Sequence, residues 1–292
     1  FTETGKLVVR GVLSAIGGNG PADKIVFTSV HDDEYGGDTD GITTPQDRRA
    51  WGGIMLEGVD GTTDIQNVLV RHAPITLVDA APRLYNVQLY ATSGAGLRMT
   101  PGSSPNLRVL QFEGSGLKGI AVLTGTIETD QTWARLGGPT DQVVRVLEGE
   151  VIVKPGAVLS IDVGTVIKAA PAGKLTVLGH LRATGRSDQM VVFTSLNDDL
   201  MGNTNNRMLN PGPTDWPGID IGPEANALME NVGIYYAQVG LTLRGKAMPE
   251  TGKGPIHIAH SHQPLACTTK MQIPSVFLLE DNEVAVTRCP TP

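Results

Sequence analysis

The chain has 292 residues, 40% of them hydrophobic and 4% aromatic, and a formal net charge of −7. That apolar content suffices for a sizeable core, built from Val, Leu, Ile and Ala because rings are scarce. The acidic balance and scattered basic residues argue against nucleic acid or an anionic membrane as partner, and no run of about eighteen apolar residues offers a membrane span.

With 36 Gly and 19 Pro, few windows hold a helix of three turns, whereas short strands joined by tight turns tolerate that spacing. The expected class is all-β. The chain opens at Phe1 without a signal peptide, and its repeat starts partway through the pattern, which reads as a processed or excised piece of a longer protein.

A long unit occurs twice. From Gly5 the sequence runs GKLVVRGVLSA, KIVFTSVHDDEYGGDTDG and WGGI; from Gly173 it runs GKLTVLGHLRA, MVVFTSLNDDLMGNTNN and WPGI. Pairing Gly5 with Gly173, Phe27 with Phe193 and Trp51 with Trp216 gives offsets of 168, 166 and 165. In the first copy Leu7, Val9, Leu13 and Ala15 alternate with polar or glycine positions, the period of strands with one buried face. A turn follows with Gly17, Gly18, Gly20 and Pro21, then Ile25 and Phe27 as an inward pair. Between Val30 and Ala50 the periodicity stops and a polar loop is extruded; Trp51 and Ile54 mark the return.

From Ile65 to Thr124 a shorter period takes over, with NVLVRHA at Asn67, NVQLYAT at Asn86 and NLRVLQFEG at Asn106, spaced by 19 and 20 residues. That is one turn of a solenoid, and the asparagines are expected to stack as an internal hydrogen-bonded ladder. Arg71, Arg98 and Arg108 on these turns are expected to face solvent, the base of a polysaccharide lyase beside calcium being the alternative.

From Gln131 to Ala183 the chain is most regular. Val151, Leu159, Ile167, Leu175 and Ala183 recur every eight residues, and Val153 and Val177 lie 24 apart, which fits three short strands per turn. A second extruded loop covers Leu196 to Asp215, and NVGIYYA from Asn231 repeats the asparagine-led strand. Beyond Gly252 the pattern weakens, leaving strand candidates at Ser275–Leu279 and Glu283–Thr287. Cys267 and Cys289 are 22 residues apart, about one turn, so their pairing would close the last turn and imply an oxidising compartment; two free thiols are the alternative.

The string VVRVLEGEVIVKPGAVLSIDVGTVIKAAPAGKLTVLGHLRATG, followed by VVFTS, an acidic loop and WPGI, resembles a module of right-handed parallel β-helix proteins found in large secreted or surface-anchored bacterial proteins. The resemblance covers nearly the whole chain. It implies a right-handed parallel β-helix of about 11 to 12 turns with two extruded loops: a first module at 1–130 truncated at its start, a second at 131–265, and a closing segment at 266–292 continuous with the same solenoid. It also implies an extracellular or cell-surface setting, often with adhesin-like roles.

The first loop packs Asp32, Asp33, Glu34, Asp38 and Asp40 into nine residues beside Gly36, Gly37 and Gly41. Crowded carboxylates repel one another unless a cation neutralises them, and hard oxygen ligands suit calcium. Asp32, Asp33, Asp38 and Asp40 are the expected ligands, a solvated acidic loop being the alternative. In the second loop Asp198 and Asp199 persist while Asn203 and Asn205 replace the later pair, so a weaker counterpart is expected.

Adjacent aspartates also suggest the acid and base of a polysaccharide hydrolase, but no accompanying histidine and basic motif is evident. His257, His260 and His262 offer a conceivable zinc pair without a third ligand. Trp51 and Trp216 read as packing residues over the loop base, or as carbohydrate platforms. The expected function is therefore a non-catalytic structural or adhesive module, calcium-stabilised, whose partners are the rest of a longer polypeptide or neighbouring surface proteins. A polysaccharide-binding or polysaccharide-cleaving β-helix is the alternative.

Overall fold

The structure is a computed structural model that describes residues 1–42, 50–137, 142–204, 210–245, 249–252, 254–269, 273–284 and 289. Contacts divide the chain into two compact units, Phe1–Ala121 with Leu136–Val143, and Val122–Arg135 with Val144–Pro292. Each is a stack of short parallel strands, as a parallel β-helix requires.

In the first unit one sheet takes Leu7–Val9, Ile54–Glu57, Ile75–Val78, Ala95–Met99 and Leu117–Val122 in that order. A second runs through Asp64–Arg71, Arg83–Tyr90 and Asn106–Glu113. Asp64–Arg71 bends at Asn67: residues before the bend pair with Ser14–Ile16, and residues after it pair with Ile25–Phe27. The bend is a left-handed corner, φ 51° at both Asn67 and Asn86, a conformation asparagine tolerates better than most side chains.

The expected asparagine ladder forms here in part. Asn86 Nδ2 donates to Asn67 Oδ1 at 2.7 Å, and Asn67 Nδ2 donates to Gly17 O at 2.9 Å and to Asn19 Oδ1 at 3.2 Å. Asn106 does not continue it. Tyr85 faces Arg108 and Val87 faces Leu110, so the residue below Asn86 is Val109, which adopts φ 54°. The third turn is 23 residues long where sequence likeness placed 20, and Asn106 instead faces Arg83.

The second unit shows three strands per turn. Val151 pairs with Leu175 and Val153 with Val177, as the 24-residue spacing predicts. Val151, Leu175, Ile219, Leu241 and Leu265 form one column of successive register partners, each fully buried. Ile167, Phe193, Ile234 and Ile258 form another. Burying each such side chain stabilises the fold by about 1.5–3 kcal/mol, which aliphatic columns supply without many rings. Asn231 repeats the left-handed corner at φ 49°, its Nδ2 donating to Gly185 O at 3.3 Å. A Cβ on Gly17 would lie 2.5 Å from Asn67 O, and one on Gly185 would lie 2.5 Å from Asn231 O, so both copies of the unit need glycine opposite the corner.

The last described strand is Phe277–Glu280, overlapping the Ser275–Leu279 expectation; of the Glu283–Thr287 candidate, residues 285–287 lie outside the described residues. Cys267 and Cys289 form a disulfide, the pairing expected for closure of the last turn.

Candidate functional site

Both acidic loops leave their stacks by the same turn. Thr28 Oγ1 donates to Asp32 Oδ2 at 2.5 Å, and Thr194 Oγ1 donates to Asp198 Oδ2 at 2.7 Å, four residues on in each case. The neighbouring hydroxyls of Ser29 and Ser195 accept the backbone N–H of His31 and Asn197, a local turn typical of serine. This turn aims the first aspartate of each pair inward, leaving Asp32 2% and Asp198 3% exposed.

A buried carboxylate is costly unless it is paired and hydrogen-bonded. Asp32 meets Arg71, with Nε 2.6 Å from Oδ2 and Nη2 3.2 Å from Oδ1. Arg71 also bonds Glu34 and lies 4.8 Å from the Tyr35 ring centroid and 4.5 Å from that of Tyr90. His72 Nε2 approaches Asp32 Oδ2 at 3.5 Å. Burial pushes the Asp32 carboxyl up, but the Thr28 hydroxyl and the Arg71 guanidinium outweigh it and hold the group below its ordinary value. Arg71 was expected to face solvent and does not: the inward aspartate recruits it into the core. Arg98 is half-buried, and Arg108 alone of the three is exposed.

The second copy neutralises its aspartates differently. Trp51 Nε1 donates to Arg71 O and Trp216 Nε1 to Tyr235 O, each at 2.8 Å, so Tyr235 stands where Arg71 does. The cation comes instead from Lys168, fully buried on Val166–Ala169, one turn before the strand that leads into the loop, with Nζ 3.6 Å from Asp199 Oδ1 and 3.3 Å from Thr204 Oγ1. Burial lowers the Lys168 pKa, opposed by the charges of Asp199 and Asp198.

At the tip of the first loop, Gly36 and Gly37 take φ of 89° and 73°, reversing the chain so that Asp33, Asp38 and Asp40 converge. Their ligand oxygens lie within 4.8 Å of one another. Asp38 Oδ1 accepts from Gly41 N at 2.6 Å, Asp40 Oδ1 accepts from Ile42 N at 2.8 Å, and His31 Nδ1 meets Asp40 Oδ2. Partial desolvation and the charges of Asp38, Asp40 and Asp32 raise the Asp33 carboxyl above its ordinary value. Three of the four expected ligands are thus together, while the carboxylate of Asp32 is engaged by Thr28 and Arg71.

In the second loop Asp198 turns inward, Asp199 turns toward Lys168 and Asn203 is exposed; Asn205 lies outside the described residues. Among the described residues no third carboxylate, His or Cys converges with Asp198 and Asp199.

The remaining candidates are dispersed. Trp51 and Trp216 are 3% and 1% exposed and cover the loop bases, so they pack and do not form platforms. Both precede a Trp-x-Gly-Ile return in which Gly53 and Gly218 take φ of 78° and 105°, and a Cβ would fall 2.3 Å from Pro74 O or 1.7 Å from Val239 O. His257 bonds Tyr235 and Glu280, His260 stacks on Tyr236, and His262 bonds Glu283, so the three rings do not form one metal site. Asp32 points inward and Asp33 outward, which separates the adjacent pair as an acid and base.

Sequence reasoning missed the roles of Thr28, Thr194, Arg71 and Lys168. The available signal was the identical four-residue spacing in TSVHD and TSLND. The chain matches no family model, no curated protein and no solved structure.

Proposed function

We propose that this chain is a non-catalytic structural or adhesive β-helix module of a secreted or cell-surface bacterial protein, with calcium ordering the first acidic loop. The observation that carries this reading is the meeting of Asp33, Asp38 and Asp40 within 4.8 Å on a loop rooted in a tightly packed stack. Carboxylate oxygens at that spacing suit a hard cation, with water completing the shell. The Cys267–Cys289 disulfide supports an oxidising, extracellular setting. The outer edges of Leu7–Val9 and Ser14–Ile16, beside Val8, Val12 and Ile16 at 42%, 68% and 56% exposure, suit a further turn of chain or a neighbouring surface protein as partner.

Calorimetry with calcium chloride and thermal melts with and without chelator test the metal. At calcium about a hundredfold above its Kd, the melting midpoint should rise by roughly 5 °C or more. Asp38→Asn with Asp40→Asn should remove that rise. Absence of calcium binding at millimolar concentration leaves a solvated loop and ends the calcium reading.

A further inference from the structure

The outer face of the strands Asp64–Arg71, Arg83–Tyr90 and Asn106–Glu113 carries a cleft of about 350 Å³. Register places six side chains on it in two columns. Asp64, Arg83 and Asn106 form one; Gln66, Tyr85 and Arg108 form the other, two residues along on the same face. Tyr85 is 44% exposed at the centre of its column.

Two arginines on this face hold no carboxylate. Arg10, Arg71 and Arg244 each hold a carboxylate. Arg83 and Arg108 are exposed, and neither guanidinium has a partner among the described residues, although register sets Arg83 directly beside Asp64. Asp64 Oδ2 is engaged instead by Gln66 Nε2 at 2.7 Å, which fixes the amide against the cleft. On a chain of net charge −7, two unpaired guanidiniums flanking an exposed phenol ring form a local site for an anion that also offers a flat face.

We propose that this face binds an acidic saccharide, with the sugar ring on Tyr85 and its carboxylate between Arg83 and Arg108. A guanidinium grips a carboxylate through two parallel N–H donors, and a tyrosine ring combines an apolar face with a polar tip. An acidic peptide fits less well: Arg83–Tyr90 is paired on both sides, so its backbone is closed to an added strand. The lining contains one carboxylate, Asp64, whereas glycoside hydrolysis by acid and base uses two, so the lining does not supply a hydrolase pair. The inference deepens the adhesive side of the function proposed above, and its test is independent of calcium.

Titration of the intact chain with a mannuronate tetrasaccharide, with neutral mannotetraose and with a polyglutamate peptide decides it. The mannuronate should bind about tenfold or more tighter than mannotetraose, weakening as salt is raised. Arg83→Gln with Arg108→Gln should erase that preference, and Tyr85→Ala should weaken binding about tenfold while Tyr85→Phe retains it. All three positions are exposed, and an unchanged melting midpoint confirms that each variant is folded. Equal binding of mannuronate and mannotetraose, polyglutamate binding as tight as mannuronate and indifferent to Tyr85→Ala, or no mannuronate binding at about 10 mM would each overturn the proposal. Any of these with calcium stabilisation intact would leave the module reading standing.

Discussion

Arg71 and Asp32 close a buried pair of hydrogen bonds, at 2.6 and 3.2 Å, between residues 39 apart in sequence. The guanidinium roots the acidic loop to the following turn of the stack. Removing one member of such a pair leaves an uncompensated charge, so Arg71→Ala should lower stability by about 3–5 kcal/mol in urea denaturation. Lys168→Ala should cost a comparable amount through Asp198 and Asp199, whereas an exposed arginine such as Arg108 changed to Ala should stay within about 0.5 kcal/mol.

Acid should loosen the same pair. The Asp32 carboxyl sits below its unfolded value of about 3.9, so its stabilising contribution is complete above that pH and is lost as pH falls through the folded-state value. Stability followed by denaturant midpoint should therefore drop below about pH 4, and Asp32→Asn should flatten that limb. The Asp33 carboxyl is raised, giving the opposite sign: its protonation favours the metal-free fold, so calcium affinity measured by calorimetry should fall as pH decreases toward the carboxylate range.

Val109 holds φ 54° with its side chain 53% exposed, so the strained corner is not compensated by burial. A β-branched residue in the left-handed region costs about 1–2 kcal/mol. Val109→Asn or Val109→Gly should raise stability by about 1 kcal/mol, read as a higher denaturant midpoint with an unchanged slope. A decrease would show that the Val109 side chain has packing value at this corner.

The disulfide closes a loop of 22 residues at the end of the second unit. Cys267→Ser with Cys289→Ser should reduce stability by about 3 kcal/mol, and hydrogen exchange should report the loss first in Gln263–Cys267 and Phe277–Glu280.

Val109 also marks where the sequence stops being legible. The regular stretch announces its turns because Val151, Leu159, Ile167 and Leu175 are all inward-facing, so spacing in sequence equals spacing in the stack. Between Asn86 and Asn106 the likeness of NVQL to NLRV points to the wrong register, since corner geometry tolerates a valine and no apolar column separates the two alignments. The acidic loop is similar: the composition from Asp32 to Asp40 identifies a crowded set of carboxylates, and three of them do converge. Which one is withdrawn depends on Thr28 and on Arg71, and a pairing over that distance leaves no local pattern.

The origin of the neutralising cation has an evolutionary consequence. Arg71 lies on the turn after its loop, and Lys168 on the turn before its own, while Tyr235 occupies the place of Arg71. Gene recombination between the two copies with a crossover inside the FTS segment would join one copy's upstream half to the other's downstream half. The product that takes its upstream part from the second copy and its downstream part from the first would bring both Lys168 and Arg71 to a single loop. The duplicated units resemble each other in sequence yet draw their neutralising charge from opposite sides of the FTS segment, a difference that neither loop displays on its surface.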